Sequence, residues 1–453
     1  METLYTLSPR ALWSEFRKQS FAFWMMCLYL VLQYFDPLRI YHSLSFLPLD
    51  KVAIGLAILT LPLDPKRRWA RDSTNVWMIF FWLVTVVSSV FAIYPSVSWS
   101  HWFDFFNWLV IYFVIINTVN TAERYFIFLV IFLLANFKLS FFGARTWAER
   151  GFGFATWGLE GPPGFFQNSA DFSGEMLMFA PVAFELARFV KPYVRRVTYW
   201  FLMLGAISGG LSILGSSDRG SQLAMACQGA WMAIQRRLKF KVLVGIALLA
   251  GVGFALLPAA EKARFTRSGT DRTSIQRLNY WKAGLKMIEN HPVLGVGYFN
   301  FAPVYAVHDP NELWSNGKAQ LPHNIFIQVA TDAGLFGLAI FLVLIYRNLK
   351  IAREIQRTCK DDRRAPAFAS SVARGLSVTT LGFVVAGQFN TVTYYPFLWI
   401  NLALTVSLAN IVRVAVEQRV ESKLVPQSRE RCTQTSVDSG PTQGKLASPR
   451  NLM

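Results

Sequence analysis

Four polar side chains stand at the head of an apolar stretch, in the run LPHNIFIQVATDAGLFGLAI at 321–340. His323 and Asn324 open it, and Gln328 and Asp332 follow at helical spacing. Residues four apart lie one above the other on a helix, so Asn324, Gln328 and Asp332 share a face. Polar groups at membrane depth are costly and usually face a protein interior or a wet cavity. An imidazole changes charge near neutral pH, so His323 is suited to proton transfer or to anion binding at a membrane surface.

Cations are available for the second role. The stretch 258–322 carries Lys262, Arg264, Arg267, Arg272, Arg277, Lys282, Lys286 and Lys318 against Glu261, Asp271, Glu289, Asp309 and Glu312. Long loops are largely exempt from the charge bias that orients membrane proteins, which is one explanation of the excess. The other is an anionic ligand such as a phosphate or diphosphate, whose oxygens match the planar guanidinium fork. Upstream, GSSDRGSQ at 215–222 sets Arg219 in a tight turn between apolar segments. There it serves either lipid headgroups or a diphosphate in an outward-opening cavity.

These residues need elements to position them. Ile275, Leu278, Trp281, Leu285 and Ile288 form one apolar stripe, which predicts an amphipathic helix over 273–290 with Arg277, Lys282 and Lys286 off the stripe. Such a helix rests in the headgroup layer. His291 and Pro292 end it, and the glycines of HPVLGVGYFNF permit a tight turn.

The rest of the chain reads as an all-α polytopic membrane protein. Charged residues make up 16% and hydrophobic ones 53% of 453 residues, whereas soluble domains carry about 25% charge. Apolar runs near the length of a bilayer crossing recur at 20–35, 45–63, 75–94, 99–118, 124–142, 172–189, 197–215, 220–235, 241–257, 324–346, 368–389 and 393–412, which predicts about twelve spans. Basic clusters at 66–71, 188–196, 236–241 and 347–364 each follow an even-numbered span, so both termini are expected in the cytoplasm. Much of the net charge of +18 is this bias rather than a nucleic-acid surface. The expected organisation is a cytoplasmic N-terminus at 1–19, nine spans within 20–257 with an outer loop at 143–171, a second outer loop at 258–323, three spans within 324–413, and a disordered cytoplasmic tail at 414–453. The first apolar run lacks a small-residue cleavage site and does not read as a cleavable signal peptide.

Three elements together, SSDRG, RLNYWKAGLKMIENHPVLGVGYFNF and LPHNIFIQVATDAGLFG, resemble the O-antigen ligase and O-antigen polymerase superfamily in order and spacing. The resemblance implies a GT-C-like fold with a long periplasmic loop carrying the amphipathic helix. It implies a metal-independent glycosyltransferase of the bacterial inner membrane, without a cofactor and with its active site on the periplasmic side. The donor would be a glycan on undecaprenyl diphosphate. The acceptor would be lipid A–core, a growing polysaccharide or a protein hydroxyl. By residue match, Arg219 and His323 stand at the family's essential arginine and histidine, and Arg277 and Trp281 at its R-x-x-x-W pattern. Asp332 stands where many members carry Glu, which weakens a direct catalytic role for it.

On this reading Arg219 and Arg277 neutralise the departing diphosphate, with Arg264, Arg267 and Arg272 in reserve. His323 acts as base or as diphosphate ligand. Asn324, Gln328 and Asp332 orient it, bind sugar hydroxyls, or simply bond neighbouring helices. His42, His101 and His308 lack zinc-ligand spacing, and GVG at 295–297 lacks the strand context of a nucleotide loop. A polymerase or a protein O-oligosaccharyltransferase would share the same donor site. A transporter or lipid flippase remains the alternative from another class, although no repeat of spans supports it.

Overall fold

The computed structural model describes residues 1–35, 47–153, 158–162, 165–237, 269–309, 319–362 and 365–435, with residues 241, 244, 245, 248, 251, 255 and 262 between them, and side chains as far as Glu417. Among the described residues the secondary structure is helical, with no strand. The helices are α1 (Glu2–Tyr5), α2 (Pro9–Arg17), α3 (Phe21–Phe35), α4 (Leu49–Thr60), α5 (Ser73–Val90), α6 (Pro95–Ser100), α7 (Trp102–Thr118), α8 (Ala122–Glu149), α9 (Ser169–Val190), α10 (Arg196–Gly215), α11 (Arg219–Gln235), α12 (Arg272–Asn290), α13 (Phe301–His308), α14 (Ile325–Asp361), α15 (Ala369–Ala386) and α16 (Pro396–Thr435). Short Asx and Thr caps start many of them. Asp72, Thr121, Asn168, Asp218 and Asp271 each accept an N–H from the first turn they precede.

The protein is a multi-pass membrane protein. Seven described segments are long and apolar enough to cross a bilayer: Ser73–Val90, Pro95–Thr118, Ala122–Glu149, Arg196–Gly215, Ile325–Asp361, Ala369–Ala386 and Pro396–Glu417. The described residues thus do not confirm the expected count of about twelve. The runs at 20–35, 45–63, 172–189 and 220–235 do form helices, but α3, α4 and α11 are too short, and α9 carries Asp171, Glu175, Glu185 and Arg188. The run at 241–257 lies mostly outside the described residues, as do His42, Arg264 and Arg267. Two boundaries differ from the sequence expectation. Helix α8 continues to Glu149, because good helix formers follow Gly143, and this shortens the outer loop expected at 143–171. Helix α16 continues to Thr435 through residues rich in Glu, Gln, Arg and Lys, which also favour helix, rather than ending in a disordered stretch from 414.

Helix α14 is the axis of the site. It packs on α5, α15 and α16, and α12 lies against it. Phe81, Phe105, Phe341 and Trp399 fill the space between these helices, with the Phe105 and Trp399 rings 4.7 Å apart edge to face. At the end of the bundle away from His323, the fully buried Arg124 forks onto Asp64 at 2.7 and 2.9 Å and donates to Gln19 and Ser20 at 3.0 Å each. That satisfaction is what permits a charge there, since a buried unpaired ion is strongly destabilising.

The expected unbroken helix from 324 to 346 is interrupted. Gly334 adopts φ +67° and ψ −174°, and the turn after α12 inserts at the break. Val296 donates its backbone N–H to Thr331 O at 2.8 Å, and Leu335 donates to Pro292 O at 2.8 Å. The Ser88 hydroxyl bonds Leu294 O at 3.0 Å and also reaches Asp332 O. The freed helix groups thus find partners inside the protein, as a break at membrane depth requires. Only glycine fits on either side: a Cβ on Gly334 would lie 2.0 Å from Val293 O, and one on Gly295, at φ +71°, would lie 2.1 Å from Thr331 O.

Candidate functional site

His323 sits in the turn that leads into α14, with φ +50°. Left-handed backbone costs about 1–3 kcal/mol for a non-glycine residue and persists only where surrounding contacts over-determine it. Those contacts are present. The His323 N–H donates to Thr391 Oγ1 at 2.8 Å, and the Trp281 indole N–H donates to Pro322 O at 3.0 Å. Asn324 caps α14, its Oδ1 accepting from Phe326 and Ile327 at 2.9 and 3.2 Å. The Ile325 N–H donates to Gly387 O at 2.8 Å. The histidine is thus pinned from α12 on one side and from the 387–395 segment on the other.

The ring itself is half-buried, tilted against Tyr280 with centroids 6.3 Å apart. Its Nε2 lies 3.0 Å from Gln320 Oε1. A carboxamide oxygen only accepts, so Nε2 carries the proton and Nδ1 keeps its lone pair. Burial, and secondarily the positive charge of Arg277, push the His323 pKa down to about 4. At neutral pH this imidazole is uncharged.

Arg277 lies on α12 one turn before Trp281. Its Nε is buried and makes no hydrogen bond among the described residues, and it feels the charges of Asp218, Arg219 and Asp271. Burial pushes its pKa down, yet a guanidinium stays protonated at any physiological pH. Arg219, the first residue of α11, donates through Nη2 to Asp271 Oδ2 at 3.0 Å, and both side chains are 28% exposed. Asp271 also caps α12, accepting the Ser274 N–H at 3.0 Å and the Ser274 hydroxyl at 2.9 Å. Burial would raise its pKa, but these hydrogen bonds and the Arg219 charge hold it below the usual carboxylate range. Arg219 therefore anchors the start of the amphipathic helix as well as bringing a cation to the site. Arg272 opens that helix and is exposed.

Gln328 is 1% exposed, and its Oε1 has no hydrogen-bond partner among the described residues. It lines a cavity of about 1150 Å³ together with Leu321, Thr391 and Tyr394. Phe103, Trp108, Phe165, Phe299 and Tyr395 add aromatic walls, and Asp104 and Asn107 add polar groups. The fully buried Asp332 bonds elsewhere. It accepts the Phe299 N–H and the Tyr394 hydroxyl, each at 3.1 Å, and so fixes the turn and the 387–395 segment rather than the imidazole. Eight residues of helix separate it from Asn324, a rise of roughly 12 Å.

Residues 204–342 match the sequence profile of the O-antigen ligase family. That segment is similar to the O-antigen ligase family. Over 233 residues the chain is 28% identical to the O-antigen ligase of Salmonella typhimurium strain LT2, covering 49% of this chain and 55% of that protein. Over 186 residues it is 26% identical to a Rickettsia felis protein that carries the name polysaccharide ligase, covering 35% of this chain and 45% of that one. The chain thus spans about half the length of these relatives.

The matched segment contains Arg219, Arg277, Trp281, His323, Asn324, Gln328 and Asp332. Several residues that complete the site lie outside it. Asp171 accepts from Asn390 Nδ2 at 3.1 Å, and Asn390 Oδ1 in turn accepts the Thr391 N–H at 2.8 Å. The hydroxyl that holds His323 is thereby tied to α9. Sequence reasoning missed Asp171, Asn390, Thr391 and Tyr394. The available signal was GQFNTVTYYP at 387–396, a polar and aromatic run between two apolar spans.

Proposed function

We propose that the protein is an O-antigen ligase-like glycosyltransferase. It moves a glycan from undecaprenyl diphosphate to an acceptor hydroxyl at the periplasmic face of the inner membrane. The observation that carries this reading is a pair of buried polar atoms unmatched among the described residues: the donor Arg277 Nε, whose charge acts on His323, and the acceptor Gln328 Oε1 in the large cavity. Buried polar atoms without partners are rare, and each needs an explanation. A diphosphate satisfies the first and a sugar hydroxyl the second.

In the reaction, the acceptor oxygen forms a bond to the anomeric carbon while the bond from that carbon to the diphosphate oxygen breaks. The electron pair leaves on the diphosphate, and the hydroxyl proton passes to His323 Nδ1. A neutral imidazole is ready to take that proton, which favours the base over the cationic ligand for His323. Arg277, with Arg219 beside it, offsets the charge that develops on the leaving group, a role that arginine fills where other enzymes use Mg²⁺. The aromatic walls of the large cavity offer stacking faces for sugar rings.

Membranes holding the full chain, a polyprenyl-diphosphate-linked glycan and candidate acceptors supply the test. His323→Ala and Arg219→Ala abolish transfer while the protein still accumulates and elutes as wild type; robust transfer by both variants overturns the assignment. Activity persists in EDTA. Loss that only a divalent ion restores would refute the arginine role. Which acceptor product disappears on deletion separates lipid A–core, polysaccharide and protein acceptors.

A further inference from the structure

A second cavity, of about 440 Å³, lies on the opposite side of the amphipathic helix from His323. Three segments supply its polar groups. Helix α12 contributes Asn279, Lys282, Lys286 and Asn290, spaced so that they share one face. The turn after it contributes His291, and α13 contributes His308. Arg277 and Trp281 point from the other side of the same helix, toward the His323 turn.

The cavity has a dry floor and a donor-rich rim. Met287, Val296, Val304 and Tyr305 belong to a small buried cluster separate from the main core. Around the rim stand two ammonium groups, two imidazoles and two carboxamides, with Asp309 as the one carboxylate in the lining. No described carboxylate pairs with Lys282 or Lys286. The lining is thus net positive before either imidazole is counted. Ammonium groups one helical turn apart, with no carboxylate partner among the described residues and backed by imidazole and carboxamide donors, suit a tetrahedral anion, and the apolar floor suits the body that carries it.

We propose that this cavity binds a phosphate monoester borne on a sugar or a lipid headgroup. Its place across α12 from the His323 turn makes it the docking point of a phosphorylated acceptor, a role that rests on the transfer reading above. The binding itself does not.

The full chain in phosphatidylcholine nanodiscs is titrated with glucose 6-phosphate, with glucose, and with farnesyl diphosphate as a probe of the Arg277 side. Wild type binds glucose 6-phosphate and not glucose. Replacing both lysines, Lys282→Gln with Lys286→Gln, weakens that binding about tenfold or more, the worth of one charge-assisted hydrogen bond. Lys282→Arg with Lys286→Arg retains it, which separates charge loss from misfolding. Farnesyl diphosphate binds all three proteins equally; its failure to bind would count against the donor site alone. Competition by nanodiscs containing phosphatidic acid identifies a lipid headgroup as the source of the phosphate monoester, and indifference to them identifies the sugar; both support the site. Equal binding of glucose 6-phosphate by wild type and the Gln variant, or none by wild type, overturns it.

Discussion

The backbone N–H of His323 donates to the side chain of Thr391 at 2.8 Å, although 68 residues separate the two. That bond ties the turn before α14 to the segment between α15 and α16, and it holds a left-handed residue at the point where the chemistry is proposed. Thr391→Val removes the acceptor while keeping the shape. A neutral hydrogen bond contributes about 1 kcal/mol, and misplacing a catalytic group adds to its loss, so kcat falls about tenfold. KM for the donor stays close to wild type, and Thr391→Ser restores the rate. A Thr391→Val enzyme with unchanged kcat would show that the turn holds itself.

The charge of Arg277 shapes the pH profile. Burial and this guanidinium keep His323 unprotonated down to about pH 4, so the acid limb of kcat/KM lies near that value. Arg277→Gln removes the lesser cause, and the acid limb moves upward, toward the ordinary imidazole range, along with the loss of rate. The same depression has a stability consequence. The unfolded imidazole takes up its proton near pH 6.5, while the folded one resists to about pH 4, so the fold loses stability as pH falls through that window. A limb that stays fixed in Arg277→Gln would disconnect the two groups.

Trp281 acts at the backbone. Its indole N–H reaches Pro322 O at 3.0 Å, next to His323. Trp281→Phe keeps most of the apolar surface and loses that bond. A cost of about 1 kcal/mol corresponds to about a fivefold fall in kcat/KM. Steady-state kinetics on membranes normalised for protein content check the value.

Gly334 and Gly295 face one another where two backbones cross, and neither has room for a methyl group. Gly334→Ala combines a forbidden contact with a φ that alanine resists, so little folded protein survives detergent extraction. Gly229→Ala in α11, where nothing lies within 4 Å, leaves the yield unchanged and serves as the control. Size-exclusion profiles of the two variants decide the point.

The membrane architecture was legible because apolar runs report burial in lipid whatever packs around them. The polar face of 324–332 and the cations at 219 and 277 were legible for the converse reason: such residues are conspicuous in an apolar setting. What remained hidden depends on contacts distant in sequence. Nothing local distinguishes Thr391 from other turn residues, and the roles of Asn390 and Asp171 emerge only once α9 lies beside that turn. The break at Gly334 was hidden too, since ATDAGLFGLAI has helical periodicity throughout. The interruption arises from the turn at 291–297 pressing on it.

The backbone crossing at Gly295 and Gly334 also links the two halves of the site. Helix α12 carries Arg277 and is stitched to α14 at both ends of the first half of that helix, through Pro322 and through residues 331 and 335. The guanidinium and the imidazole are therefore held by one stitched framework, which Thr391 and Asn390 extend to α9, so a change at either glycine disturbs the surroundings of both groups at once.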